Sequence, residues 1–207
     1  MGQNVLLISS GVVHPSVPAR RALRASLSST GSKIARTSSM DDLIGMNLSR
    51  FEAIVLYFHH ETVNPEALEI LEQFVEQGGG LLAWHAASAS FKGNERYSAL
   101  LGGHFVEHGP IETFTIVPDE SRPSIFDDVP SFSVRDELYR HAYDRNNRVV
   151  LHTSIDGQTE PVCWVREQGQ GRVFYCALGH TVSSMRHPAV RLLMASGLKW
   201  VTRTELA

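Results

Sequence analysis

The sequence predicts an α/β protein: a mostly parallel sheet flanked by helices, with an antiparallel extension. Three observations carry this. Asn4–Ser10, Phe51–Phe58 and Leu81–His85 are continuous apolar runs, as expected of strands covered on both faces. Helical periodicity separates them, which is the strand–helix–strand rhythm of right-handed crossovers. The last third instead shows three strand-like runs joined by Asp156-Gly157 and Gly169-Gln170-Gly171, the turn chemistry of antiparallel neighbours.

In order, the first strand is followed by a loop holding Gly11, His14 and Pro15. Ser16 is placed to cap a helix whose inner face is Ala19, Ala22, Leu23 and Leu27 and whose end is near Gly31. Lys33–Thr37 is a short strand candidate, and residues 38–50 are polar and ambiguous. The second long strand exits at His59-His60. Asn64 then caps a helix with Pro65 in its first turn, Ala67, Ile70, Leu71 and Phe74 on its apolar face, and Gly78 at its end. The strand Leu81–His85 follows the triple glycine Gly78-Gly79-Gly80. Ala83, Ala86 and Ala87 leave room for a sharp strand-to-helix turn that raises His85 above the sheet. Glu95–Leu101 reads as a short helix stopped by Gly102-Gly103, and Ile111–Val117 as a strand with one wet face. Pro118–Pro130 reads as loop, and Arg135–Arg140, with two acids between arginines, as a solvated turn. Val149–Ile155, Pro161–Glu167 and Arg172–Leu178 are strands. Pro188 opens a final helix with the stripe Val190, Leu193, Met194, Gly197, Leu198 and Val201. With no repeat or interdomain linker, residues 1–207 read as one domain.

Composition narrows the function. A chain of 207 residues with 43% hydrophobic and 20% charged residues is that of an ordinary globular protein. Its formal charge of −3 gives no footprint for nucleic acid, and no polybasic run suggests a membrane surface. No secretory signal is visible, and Val5–Ile8 is far too short to span a bilayer, so the cytoplasm is the expected compartment. Cys163 and Cys176 form no metal or redox motif. They read as buried free thiols in a reducing compartment, with a neighbouring-strand disulfide as the alternative.

The informative count is ten histidines. A single His85 at a strand exit reads first as a turn cap. However, His14, His85 and His180 each follow a strong buried strand. If those strands are adjacent and parallel, all three reach one rim of the sheet, where open α/β sheets bind ligands. Imidazole titrates nearest neutrality and is a common metal ligand. His108 and the Asp136-Glu137 pair, on intervening segments, add an imidazole and a carboxylate. The set suits either a zinc-like site with an open position or general acid/base chemistry.

Four ordered motifs carry a family resemblance: GGGLLAWHAAS at 78–88, LLGGHFVEH at 100–108, DELY at 136–139 and PVCWVREQGQGRVFYCALGH at 161–180. Together they resemble the ThuA-like, or trehalose-utilisation, family over nearly the whole chain. The resemblance implies a flavodoxin-like sheet similar to class I glutamine amidotransferases. It places His85 where that fold carries a nucleophilic cysteine, and His180 near the amidotransferase histidine. Glutamine hydrolysis needs an elbow thiolate, and both cysteines sit mid-strand, so amidotransferase activity is not expected. The resemblance implies a role in the catabolism of a disaccharide or sugar derivative, such as a 3-keto-glycoside made by a partner dehydrogenase. His108 falls on the family's usual histidine, Glu137 and Tyr139 on its acidic and aromatic positions, and His104 is a local addition.

These readings yield an enzyme, a hydrolase or isomerase of a sugar derivative, with His85, Glu137 and His180 catalytic. Trp84, His14 and Tyr139 contact substrate, with Phe105 as a further candidate wall. A divalent metal such as zinc is held by His85, His108 and His180, if a metal is used. The expected partner is a small sugar-like molecule, with neither nucleic acid nor membrane, and homo-oligomerisation is open. The alternative is a sugar- or protein-binding domain without turnover on a degenerate amidotransferase-like fold.

Overall fold

A computed structural model describes residues 3–10, 17–155 and 157–204. Strands β1 (Asn4–Ile8), β2 (Lys33–Thr37), β3 (Ala53–Leu56) and β4 (Gly80–Trp84) alternate with helices α1 (Val17–Ser28) and α2 (Pro65–Glu76). Helix α3 (Glu95–Leu101) then leads into β5 (Gly103–Pro118), β6 (Phe132–Tyr143), β7 (Arg148–Ile155), β8 (Gln158–Gln168) and β9 (Gly171–Cys176). Helices α4 (Val182–Arg186) and α5 (Pro188–Val201) close the chain. The nine strands form one sheet in the order β2-β1-β3-β4-β9-β8-β7-β5-β6.

The sheet is mixed. From β2 to β9 every neighbour is parallel, and from β9 to β6 every neighbour is antiparallel. The expected mostly parallel sheet therefore describes one half. The antiparallel part is as large, because the segment read as a solvated turn is strand β6 and the strand expected at Ile111–Val117 begins at Gly103. Two short 3₁₀ turns, Met40–Leu43 and Leu48–Arg50, occupy the ambiguous 38–50 segment.

Local chemistry accounts for the elements that position the site. The Asn64 side chain accepts from the Glu66 N–H with Pro65 in the first turn, and Asn94 caps α3 through the Tyr97 N–H. All of β1 beyond Asn4, all of β3 and all of β4 are buried, as the apolar runs predict. Along β9 the pleat sends alternate side chains to opposite faces. Phe174 lies against Gly197 of α5, where a Cβ on the glycine would come within 2.7 Å of the ring. Tyr175 points the other way, to Ser88 and His141. The stripe of α5 is buried core.

Cys163 and Cys176 are register partners on β8 and β9, both free and fully buried. Burial, then the neighbouring Cys176 thiol, pushes the Cys163 thiol up.

Candidate functional site

The site is assembled where β4 and β9, adjacent and parallel, deliver their carboxyl ends. His85 follows β4 with φ 48, a left-handed conformation unusual for a residue with a Cβ, and opens the 3₁₀ turn His85–Ala89. Such strain persists only where surrounding structure enforces it. The enforcing contacts are hydrogen bonds to the His85 carbonyl, from the Tyr175 hydroxyl at 3.1 Å and the Ser88 hydroxyl at 3.3 Å. Those hydroxyls lie 2.7 Å apart, and the His141 Nε2 is 3.0 Å from the phenol. The imidazole of His141 is fully buried, which pushes its pKa down, and its Nδ1 faces Glu160 at 3.9 Å.

The His85 ring is wholly buried. Its Nδ1 donates to the Ala177 carbonyl on the neighbouring strand end at 2.7 Å, which fixes the tautomer and leaves Nε2 with its lone pair. Just beyond Ala177, the loop 178–181 carries His180. The β5–β6 ribbon, last in the strand order, returns over this loop. The Asp136 carboxylate accepts the Gly179 N–H at 2.7 Å and the Thr181 N–H at 2.9 Å. Glu137 sits between two imidazoles, with Oε2 3.0 Å from His180 Nδ1 and Oε1 3.2 Å from His108 Nδ1. The Tyr57 hydroxyl donates to the Gly179 carbonyl at 2.9 Å, and the Trp84 indole donates to the Leu178 carbonyl.

One ligand-type atom from each of His85, Glu137 and His180 lies within 4.8 Å of the others. Two imidazoles and a carboxylate are a donor set that suits zinc with an open coordination position.

Above these groups stand three rings. Tyr139 lies 4.2 Å from the His85 ring and 4.4 Å from Phe105, and His108 lies 6.0 Å from Tyr139. Burial, then the charges of Glu137 and Asp136, raise the Tyr139 phenol, which stays protonated. Exposure runs from zero at His85, through 19% for the His180 side chain, to 47% for that of His108, so the site opens on the β5–β6 side.

Of the residues expected from sequence, the structure brings together His85, Glu137, His180, His108 and Tyr139. His14 lies outside the described residues. His108 does not join the three-ligand group. Glu137 stands in its place, because His108 hangs on the outer ribbon with its Nδ1 donating to the Gly109 carbonyl at 2.9 Å. Trp84 has no surface to offer a substrate. It is fully buried, packed at 5.7 Å on Tyr57, and spends its indole N–H on Leu178. His59 and His104 are exposed, and His60 contacts Ser10, apart from this group. Tyr57, Ser88, His141 and Tyr175 were not anticipated. The available signal was a single phenol inside each of two otherwise apolar strand runs.

Fold and site together define an α/β protein whose mixed sheet gathers two histidines and a glutamate at the carboxyl ends of adjacent parallel strands. The ThuA family model, described as trehalose utilisation, matches residues 4–201, and the chain belongs to this family. No curated protein matches it. Among solved structures it is similar to a ThuA-like protein from Parabacteroides merdae (17% identity, TM-score 0.89, covering 100% of this chain and 92% of that one). It is also similar to a protein described as cytoplasmic from Salmonella typhimurium (13%, TM-score 0.76, 96% and 99%). A third is a β-galactosidase from Bacillus circulans (16%, TM-score 0.66, 95% of this chain and 31% of that one). At these identities the likeness is one of fold. Among the described residues no helix is long and apolar enough to cross a membrane.

Proposed function

We propose that this protein is an enzyme of sugar catabolism, a hydrolase or isomerase acting on a small disaccharide or keto-glycoside. In this reading His85, Glu137 and His180 hold a divalent metal such as zinc. The convergence of these three residues within 4.8 Å carries the proposal. The ThuA family's description and the presence of this fold in a β-galactosidase support the substrate class. The five parallel strands run β2-β1-β3-β4-β9, the 2-1-3-4-5 order of doubly wound sheets, which supports a flavodoxin-like, amidotransferase-like ancestry. Cys163 and Cys176 are both fully buried, Cys176 at the last position of β9, and His85 rather than a cysteine follows β4, which argues against amidotransferase chemistry.

When bound, the metal polarises a substrate carbonyl or lowers the pKa of a water. The remaining work falls to the chain. His85 is held by Ala177 through Nδ1, and Glu137 serves His180 with one oxygen and His108 with the other. His108, whose Nδ1 is shared between the Gly109 carbonyl and Glu137, exchanges protons with substrate at Nε2. Phe105 and Tyr139 present an apolar wall to a sugar ring. The test is elemental analysis of the purified protein together with turnover of 3-keto-glycosides. About one zinc per chain is expected, with turnover lost in His85→Ala. Metal-free protein whose turnover survives His85→Ala refutes the proposal.

The complete burial of His85 favours a second reading, a sugar-binding domain without turnover. It predicts that a sugar raises the melting temperature while no product forms.

A further inference from the structure

We infer that Asp136 is the positioning residue of this site, setting where His180 stands relative to Glu137 by gripping the main chain on either side of it. The inference rests on reading His85, Glu137 and His180 as one centre. Three consecutive residues of β6 each take a different part of the loop. The Arg135 carbonyl accepts the Thr181 hydroxyl at 3.1 Å, Asp136 takes the two peptide N–H groups that flank His180, and Glu137 meets the imidazole itself.

The division of labour is physically specific. Asp136 is fully buried, and a carboxylate taken out of water is costly unless its oxygens receive donors. Each oxygen here receives one peptide N–H, at 2.7 and 2.9 Å. A carboxylate accepts at both oxygens, whereas an amide accepts at one and donates at the other. Asp136→Asn therefore sets an NH₂ against a peptide N–H and releases the loop on one side of His180. The Tyr57 and Trp84 bonds reach the loop at the carbonyls of Gly179 and Leu178, whereas Asp136 takes the N–H groups of Gly179 and Thr181 on either side of His180. Asp136 touches no reacting group; it acts through His180.

The experiment measures the affinity of the full chain for zinc alone, by calorimetric titration, in wild type, Asp136→Asn, His180→Ala and the double variant. Misplacing one ligand through its supporting shell weakens metal binding about 10–100-fold. That loss is expected for Asp136→Asn in the wild-type background, against a change of less than about twofold in the His180→Ala background, because the effect passes through His180. Equal losses in both backgrounds, or no loss in either, overturn the inference.

A second readout needs no metal. The ¹⁵N imidazole signals of His180 are expected to shift on Glu137→Gln in the wild type and to stop responding when Asp136 is replaced. A His180 that still senses Glu137 in Asp136→Asn overturns the positioning role. If wild type takes up no zinc, the metal reading fails, and this readout alone decides for Asp136. If Asp136→Asn does not hold its fold by circular dichroism, Asp136→Glu is used, whose extra methylene displaces both oxygens from the two N–H groups.

Discussion

Gly179→Ala is the sharpest test of how the loop bearing His180 is built. Gly179 has φ 125, a region that side chains strain to enter, and a Cβ there would lie 2.5 Å from Nε1 of Trp84 and 3.2 Å from two further atoms of the indole. Trp84 is fully buried and cannot swing aside. The backbone strain costs about 1–3 kcal/mol. Pushing the indole off the Leu178 carbonyl leaves a buried donor and acceptor apart, for roughly another 1–3 kcal/mol. The sum is about 2–6 kcal/mol, or ~5–20 °C in melting temperature for a chain of this size. Gly31→Ala is the control, with φ 79 but no atom within 4 Å of the added carbon, so it reports the conformational term alone. Urea unfolding and scanning calorimetry on both variants give the difference. A Gly179→Ala penalty under ~1 kcal/mol, or one equal to that of Gly31→Ala, refutes the close-packed loop.

Two further outcomes follow from burial. His141 has its pKa lowered from 6.5 by desolvation, so below pH 6.5 the unfolded chain binds a proton that the folded one resists. Stability should fall as pH drops from 6.5 toward the depressed folded value, by at most about 1.4 kcal/mol per pH unit, and be indifferent to this group above pH 6.5. Urea unfolding at stepped pH should show a shallower acid slope in His141→Gln, and identical slopes sink the assignment. Cys163 and Cys176 should resist a thiol reagent in the folded protein, with under about a tenth of the thiol labelled in minutes, and both react in urea. Rapid labelling without denaturant contradicts their burial.

The parallel half was readable in the sequence for a simple reason. Strands covered on both faces must be apolar throughout, and β1, β3 and β4 are. Asn64-Pro65 and the glycines after α2 and α3 marked helix boundaries through backbone preferences that depend on little else. Strand β6 was unreadable for the opposite reason. Its central Arg-Asp-Glu carries the signature of a solvated turn, but Asp136 and Glu137 are buried, at 0% and 9% exposure, by partners 43 residues further along. No local periodicity encodes a carboxylate whose hydrogen-bond donors arrive from another element. The same holds for Glu137, which joins the three-ligand group with His85 and His180 while His108 does not.

That ribbon also explains why a site on this sheet should hold histidines and glutamate. Parallel strands β4 and β9 supply His85 and His180 from rigid ends, both anchored by main-chain contacts around Ala177, Leu178 and Gly179. The carboxylate comes from another element, β6, whose Glu137 lies 3.0 Å from His180. Bringing it from β6 satisfies Asp136 with peptide donors and delivers Glu137 beside it at the cost of one buried, fully bonded charge. The arrangement makes the antiparallel half the part of the molecule that completes the centre, so changes along β6 should alter the site more than equal changes along β2, at the far edge of the sheet.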